Sequence, residues 1–182
     1  MGHTVLDELE KDEDGMHALE VKKLMWQLLR ATLFMHKRGV SYANAQFLHR
    51  DIKPENLLIS SKRVLKICDF GWARDLEPAS SAAYTDYVST RWYRAPELLV
   101  GDAVYGKPVD VWAIGCLFAE MLTGIPLFPG SSDLDTLHQI LKLIGASLTD
   151  KQKEAFKSNP IYKDVKVRNL ANLTLSCRMA TS

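Results

Sequence analysis

The stretch "LHRDIKPENLLI", which runs from Leu48 to Ile59, places charged and amide side chains between two apolar ends. Its polar members are Arg50, Asp51, Lys53, Glu55 and Asn56. These groups cannot all enter a core alone, because an unpaired buried charge is strongly destabilising. Pro54 removes a backbone donor in their midst, which argues against a helix. The stretch therefore predicts a rigid polar loop that holds an acid, a base and an amide together.

The composition is that of an ordinary soluble globular domain. The chain has 182 residues, of which 47% are hydrophobic and 25% are charged, with a formal net charge of +1. This near-neutral balance gives no electrostatic reason to expect nucleic acid or a membrane surface as a partner. The 3 cysteines have no C-x-x-C spacing, which predicts neither a disulfide framework nor a zinc site. Cysteine usage therefore favours a reducing cytoplasmic or nuclear location.

Hydrophobic spacing predicts helices before and after the polar loop. From Leu19 to Lys37 the inward stripe consists of Val21, Leu24, Met25, Leu28, Thr32 and Met35. The stretch from Pro108 to Gly124 is apolar nearly all round, which predicts a buried central helix. A further helix begins at the N-cap Ser132, and its inward residues are expected to be Leu134, Leu137, Ile140, Leu141 and Ile144.

Two short β-rich runs, "LLIS" and "RVLKICDF", predict a hairpin directly after the polar loop. Between Gly71 and Val100 no hydrophobic period persists, which predicts a long exposed segment of functional character. The coarse prediction is one mostly helical lobe that carries a short hairpin.

Three motifs follow one another in a fixed order: "HRDIKPEN" at 49–56, "DFG" at 69–71 and "APE" at 95–97. In this order and spacing they resemble the catalytic and activation segments of eukaryotic Ser/Thr protein kinases. The stretches "HTVLDELE" and "PLFPGSSDLDTLHQI" resemble the cyclin-dependent-kinase-like family, which is close to cyclin-dependent and mitogen-activated kinases. The resemblance covers Gly2 to Val165. It implies the kinase large lobe, mainly α-helical with a β-hairpin at the catalytic loop, within a full domain of the α+β class.

The resemblance implies catalytic roles for residues of the polar loop. Asp51 would accept or orient the proton of the substrate hydroxyl, and Lys53 would steady the γ-phosphate of ATP. Thr90 matches the threonine that bridges these two residues in Ser/Thr kinases. Taken singly, Asp51 could also be a turn residue and Lys53 a surface charge.

The same resemblance implies the cofactors ATP and Mg²⁺. Asn56 and Asp69 would provide oxygen ligands for the metal, a hard cation that prefers them, and together with Lys53 they would bind the nucleotide. Leu58 corresponds to the floor of the adenine pocket. Taken singly, Asp69 could be a strand-end cap. Leu58 and Phe70 are both expected to pack in the core as well.

Other matched positions are structural or regulatory. Asp110 matches the acid that anchors the catalytic-loop backbone, and Gly71 and Glu97 complete the second and third motifs. The stretch "TDYVSTRWYRAPE" contains a Thr-x-Tyr signature of activation-loop phosphorylation at Thr85 and Tyr87. A phosphate there would be paired by arginines, for which the candidates are Arg50, Arg91 and Arg94. The alternative is that Thr85 and Tyr87 are ordinary exposed loop residues.

The sequence departs from the family in three places. It contains no G-x-G-x-x-G loop and no V-A-I-K lysine, so a truncated domain without the small lobe is expected. About seven residues, Ser41 to Phe47, are read as an insertion ahead of the catalytic loop. Residues 1–165 are predicted to form the partial kinase domain, and 166–182 a divergent, disordered tail that lacks the arginine partner of Glu97.

The sequence leaves two functions open. The first is a Ser/Thr protein kinase whose partners are protein substrates and an upstream activating kinase, without dependence on a cyclin. The second is a catalytically dead regulatory or interaction product of a kinase gene, because the lysine and the glycine-rich loop are missing. A metal hydrolase that uses Asp51 and Asp69 would need further carboxylates or histidines in register.

Overall fold

The computed structural model describes residues 2–12, 14–37, 47–75, 91–145 and 147–163. The strands in these ranges are β1 His3–Thr4, β2 Phe47–Leu48, β3 Leu57–Ile59, β4 Leu65–Ile67 and β5 Arg74–Asp75. The helices are α1 Val5–Leu9, α2 Ala18–Lys37, α3 Pro96–Val100, α4 Pro108–Thr123, α5 Asp133–Ile144 and α6 Asp150–Ser158. Short 3₁₀ turns lie at Pro54–Asn56, Arg91–Tyr93 and Pro160–Tyr162. The fold is the mainly helical one that the sequence predicts.

The predicted hairpin is confirmed and lies directly after the polar loop. β3 pairs antiparallel with β4, with Leu58 opposite Lys66. β1 extends the sheet on the other side of β3, so the order is β1-β3-β4. A second, two-stranded sheet joins β2 to β5, with Leu48 opposite Arg74. The polar loop therefore begins at one small sheet and ends at the other.

α2 confirms the predicted helix and its inward stripe. Its buried apolar residues are Val21, Leu24, Met25, Leu28 and Met35. The opposite side carries Lys22, Lys23 and Arg30, as expected, but also large apolar side chains that the spacing rule assigned to no face: Trp26, Leu29, Leu33 and Phe34. The guanidinium of Arg30 lies 4.9 Å from the centre of the Trp26 ring.

α4 ends as predicted at Gly124, whose φ of 73° is in the left-handed region that favours glycine. The expectation that this helix is buried all round is wrong. Val111 is 55% exposed, and Phe118 and Leu122 share its face at intervals of 7 and 4 residues. These positions form one stripe along the helix, which the other described elements leave accessible.

α5 begins at its predicted N-cap, since the hydroxyl of Ser132 accepts a hydrogen bond from the amide of Asp135 at 3.1 Å. Leu137, Ile140 and Leu141 are buried as expected. Ile144 is 52% exposed, so its assignment to the inward face is wrong. It is the last residue of the helix, directly before the C-cap Gly145, whose φ of 66° ends the helical backbone.

The core lies between α2, α4 and α5 and is closed by the last described turn. The rings of Phe156 and Tyr162 stack with centroids 4.4 Å apart. The hydroxyl of Tyr162 donates to the carbonyl of Leu99 at 2.6 Å, which joins this end of the chain to α3. In the ranges that the structure describes, no helix has the length and apolar character needed to cross a membrane.

Candidate active site

Asp51 is held between a cation and an amide. Its carboxylate is buried, with the residue 8% exposed. Asn56 donates its side-chain nitrogen to Oδ2 of Asp51 at 2.9 Å and to the Asp51 carbonyl at 2.8 Å. Nζ of Lys53 lies 3.2 Å from the same Oδ2. Because the nitrogen of Asn56 faces Asp51, its Oδ1 is the atom that can serve a metal.

The loop reaches this geometry through a turn and a strained residue. Pro54 starts a 3₁₀ turn in which the amide of Asn56 donates to the carbonyl of Lys53 at 3.0 Å. Arg50 has a φ of 70°, a left-handed conformation that costs a non-glycine residue about 1–2 kcal/mol. Its amide donates to Oδ1 of Asp110 at 2.8 Å, and this bond helps to offset that strain.

Asp110 explains why an acid lies in the apolar helix α4. It is 1% exposed. Oδ2 accepts from the amide of His49 at 3.0 Å and lies 2.8 Å from Nε2 of His36. With the bond from Arg50, its carboxylate receives three nitrogen contacts, which a buried charge requires. The backbone just before Asp51 is thus attached to α4.

The second motif is joined to the loop through Cys68. The amide of Cys68 donates to the carbonyl of Asn56 at 2.9 Å, and the Cys68 carbonyl lies 3.0 Å from Nε2 of His49. Asp69 follows directly, exposed and with a φ of 60°. Its Oδ1 accepts from the amide of Gly71 at 3.2 Å, and a Cβ on that glycine would lie 3.1 Å from Oδ1.

The expectation that Leu58 and Phe70 pack in the core is wrong. Leu58 is 37% exposed, because the strand alternation buries its neighbours Leu57 and Ile59 instead. Phe70 is 44% exposed, and its ring meets the edge of His49 at a centroid distance of 5.0 Å. Both side chains therefore lie beside the polar loop with accessible surface.

The three predicted phosphate-pairing arginines have different partners. Nε of Arg91 and Nη1 of Arg94 each lie 3.0 Å from Oδ1 of Asp133, the first residue of α5. The guanidinium of Arg50 lies 5.5 Å from the centre of the Tyr105 ring. A phosphate that binds Arg91 and Arg94 would therefore compete with the carboxylate of Asp133 for these two guanidinium groups.

Several predicted residues fall outside the described ranges. These are Thr85, Tyr87 and Thr90, the insertion apart from Phe47, and the tail 166–182. Their assignments, and the domain boundary at 165, stay predictions. Among the residues that the structure does describe, no cation forms an ion pair with Glu97.

A buried acid to which sequence reasoning gave no role lies on α4. Tyr93 donates its hydroxyl to Oε2 of Glu120 at 2.5 Å, and Glu120 is 5% exposed. Burial raises the pKa of Glu120, and the hydrogen bond from Tyr93 lowers it. The negative charge of Glu55 raises the pKa further. Burial and Glu120 likewise raise the pKa of Tyr93. The sequence signal that could have identified Glu120 is its position as a second acid within the apolar run of α4.

The described ranges contain no group of three or more His, Cys, Asp or Glu side chains that could hold a metal. Asn56 and Asp69 together offer an amide and a carboxylate oxygen, the type of ligand that Mg²⁺ prefers. Since Mg²⁺ usually keeps water and phosphate oxygens among its ligands, a pair of protein ligands fits such an ion.

Comparison with known proteins yields one family. The family model described as "Protein kinase domain" matches residues 1–177. Cyclin-dependent kinase-like 4 of Mus musculus is 50% identical over 165 residues, which cover 91% of this chain and 45% of that protein. Its Homo sapiens counterpart is also 50% identical, with 41% of its length covered. Cyclin-dependent kinase-like 2 of Rattus norvegicus is 48% identical over 171 residues, or 94% of this chain and 32% of its own. The chain spans less than half the length of these relatives.

Proposed function

The chain belongs to the protein kinase family, and from that premise we propose that the protein is a Ser/Thr protein kinase. It transfers the γ-phosphoryl group of ATP to hydroxyl groups of protein substrates. The observation that carries the proposal is the buried Asp51. Its Oδ2 accepts a hydrogen bond from the side-chain amide of Asn56 and forms an ion pair with Nζ of Lys53. Phosphoryl transfer requires little covalent help and depends mainly on an aligned hydroxyl and on compensation of negative charge.

Asp51 acts on the substrate hydroxyl. Its carboxylate, which is held by Asn56 and Lys53 through Oδ2, orients the hydroxyl and accepts its proton. Lys53 and the amide of Asn56 fix the plane of the carboxylate. The attachment to Asp110 fixes the backbone that carries it.

Asn56 and Asp69 would hold Mg²⁺, and Lys53 would meet the terminal phosphate. Bound Mg²⁺-ATP supplies the transferable phosphoryl group and the divalent charge that offsets it. The bond from Cys68 to the carbonyl of Asn56 sets the spacing between the two metal ligands. Leu58, which is 37% exposed, provides an apolar surface for the adenine ring.

Lys53 supports the Ser/Thr class, because it stands two positions after the proposed proton acceptor, as in Ser/Thr kinases. The protein substrates carry Ser or Thr, and an upstream kinase phosphorylates Thr85 and Tyr87. No cyclin is needed, and the protein works in the cytoplasm or the nucleus. These assignments are part of the proposal.

We infer separately that the 182-residue polypeptide on its own transfers no phosphoryl group. Its sequence contains no G-x-G-x-x-G loop to cover the phosphates. The alternative function for this polypeptide is regulatory or interaction-based, and the apolar stripe of α4 at Val111, Phe118 and Leu122 favours it.

The test is the thermal unfolding midpoint of the purified chain with Mg²⁺, with ATP, and with both. The proposed site predicts a rise that needs both components and disappears in Asp69→Asn, because that variant loses a metal ligand. Asp150→Asn, which removes a fully exposed carboxylate elsewhere, serves as the control and keeps the rise. No rise at millimolar Mg²⁺-ATP would support the interaction role, and an unchanged rise in Asp69→Asn would contradict the metal assignment.

A further inference from the structure

The guanidinium of Arg50 lies against an aromatic ring. Its Cζ is 5.5 Å from the centre of the Tyr105 ring, which is within the range of a cation–π contact. The Nε atom of Arg50 is buried and has no hydrogen-bond partner in the ranges that the structure describes. The other two arginines predicted to pair a phosphate bind the carboxylate of Asp133 instead. The ring of Tyr105 is therefore the contact that can orient this guanidinium.

Tyr105 directly follows a residue that is fixed by its backbone, Val104, in the segment between α3 and α4. The amide of Val104 donates to Oδ1 of Asp102 at 2.8 Å, and its carbonyl accepts from Nζ of Lys151 at 3.2 Å. The side chain of Val104 is 73% exposed, so these two bonds hold the residue in place of packing. They set the direction in which the chain continues to Tyr105.

Lys151 joins α6 to this segment. Its Nζ lies 2.8 Å from Oδ2 of Asp102, a residue that is 7% exposed. Lys151 stands in the first turn of α6, where the helix dipole disfavours a cation. The buried carboxylate accounts for a lysine at this position, because it needs a compensating charge. α6 is itself anchored in the core by Phe156, which is fully buried. The segment before α4 is therefore attached to a fixed helix.

We propose that Lys151 and Tyr105 are positioning residues for the guanidinium of Arg50. Lys151 fixes the backbone of Val104, and the ring of Tyr105, next along the chain, holds the guanidinium in one orientation. The bond to Asp110 fixes only the backbone amide of Arg50, so the long side chain needs a contact of its own to be ordered. The phosphate-pairing role of Arg50 rests on the proposed function, whereas its positioning does not.

The test is the NMR signal of the Nε–H group of Arg50 in the full chain, assigned by its loss in Arg50→Lys. Tyr105→Phe keeps an aromatic ring over the guanidinium and is expected to preserve this signal. Tyr105→Leu removes the ring current and the cation–π contact. It is expected to move the signal toward that of a free arginine and to speed its hydrogen exchange about two- to fivefold.

Variants of α6 test the contribution of Lys151. Lys151→Met keeps the apolar stem without the charge and is expected to move the same signal in the same direction, by a smaller amount. Lys151→Arg retains a cationic donor and is expected to preserve it. The matched control is Lys153→Met, since this lysine of the same helix pairs with Asp150 and should leave the signal unchanged. The amide of His49, bonded to α4, is the reference for an intact polar loop.

Three results would overturn the positioning role. The first is an unchanged Arg50 signal in Tyr105→Leu, and the second is an equal shift in Lys151→Met and Lys153→Met. The third is a shift of the His49 amide as large as that of the Arg50 side chain, because it would indicate a general disturbance of the polar loop. None of these readouts uses ATP, so they fail or succeed independently of the proposed kinase activity.

Discussion

At the residue scale, the candidate site is a small set of donors arranged around acids. Asn56 shows why the residue type matters, since its amide has both a donor for Asp51 and an acceptor for a metal. An aspartate in its place would set two carboxylates side by side, and a leucine would leave Asp51 short of a donor.

Asn56→Ala is expected to lower the free energy of unfolding by about 1–3 kcal/mol, because Asp51 loses a buried donor. Urea denaturation at neutral pH measures this loss as a shift in the midpoint at constant slope. Ser61→Ala, an exposed position in the turn between β3 and β4, is the control. A midpoint equal to that of the parent chain would show that the bond contributes nothing.

Glu120→Gln is expected to change how stability depends on pH. Burial raises the pKa of Glu120 above its ordinary 4.5, despite the opposing bond from Tyr93, so the folded state holds the proton more tightly than the unfolded state. The stability that this group contributes is complete below 4.5 and is lost as the pH rises through the folded pKa. Glutamine does not titrate, so its advantage over glutamate should grow with pH, by on the order of 1 kcal/mol.

Urea unfolding at several pH values between mildly acidic and neutral measures this advantage. Glu154→Gln removes an exposed carboxylate from α6 and controls for the change in net charge. An advantage that stays constant or shrinks toward neutral pH would contradict the assignment of Glu120 as a buried acid.

The motif residues could be picked out from sequence because their chemistry demands fixed types at fixed spacing, and their catalytic roles stay predictions. His36 and the pair Tyr93–Glu120 could not, since these contacts join positions 74 and 27 residues apart. No local pattern distinguishes such residues from neighbours that merely pack. The exposure of Leu58 and Phe70 was also missed, because side-chain type alone does not say which side of a strand or loop is covered.

At the element scale, α5 shows how a helix start can hold another segment. Asp133 binds Arg91 and Arg94, so the turn at Arg91–Tyr93 is attached to the first turn of α5. Asp135, two residues on, accepts from Ser131 and has no contact with either arginine. The two acids lie in the same helical turn and serve different partners.

Asp133→Asn is expected to strengthen phosphate binding at Arg91 and Arg94 about three- to tenfold, because it removes the competing charge. The readout is the NMR signals of the arginine Nε–H groups, titrated with inorganic phosphate. Asp135→Asn is the matched control and should leave phosphate binding unchanged. If both variants bind phosphate like the parent chain, Asp133 does not compete for these arginines.

Hydrophobic period predicted α2 well, because one side of this helix is buried and the other is not, and β-rich composition predicted the hairpin. Hydrophobic period did not show which side of α4 is covered, because this helix is apolar nearly all round. Whether Val111 and Phe118 are covered depends on what packs against the helix, and periodicity contains no information about that. The assignment of Ile144 to the inward face was wrong for a related reason. The hydrophobic pattern continues to the last residue of a helix, but it does not show whether that residue is covered.

At the scale of the whole molecule, apolar side chains remain accessible on both α2 and α4. The chain corresponds to less than half the length of its relatives. Leu29 and Leu33 on α2 and Phe118 on α4 are all at least 43% exposed. Accessible apolar surface of this kind promotes association in water.

The purified chain is therefore expected to associate as its concentration rises, and Leu29→Glu with Leu33→Glu should reduce this. Sedimentation velocity over a range of concentrations measures the change. The control pair is Val104→Glu with Ile161→Glu, which charges two exposed apolar positions away from α2. A monomeric parent chain, or an equal effect of the control pair, would contradict this expectation.

Asp51, Asn56 and Asp69 are proposed to surround one metal–nucleotide site. Replacing Mg²⁺ by paramagnetic Mn²⁺ in the presence of ATP broadens the NMR signals of amides close to the metal. The amides of all three residues are expected to broaden together while those of α6 do not, and Asp69→Asn is expected to abolish the effect. Broadening that omits any of the three, is centred elsewhere or persists in Asp69→Asn would contradict it.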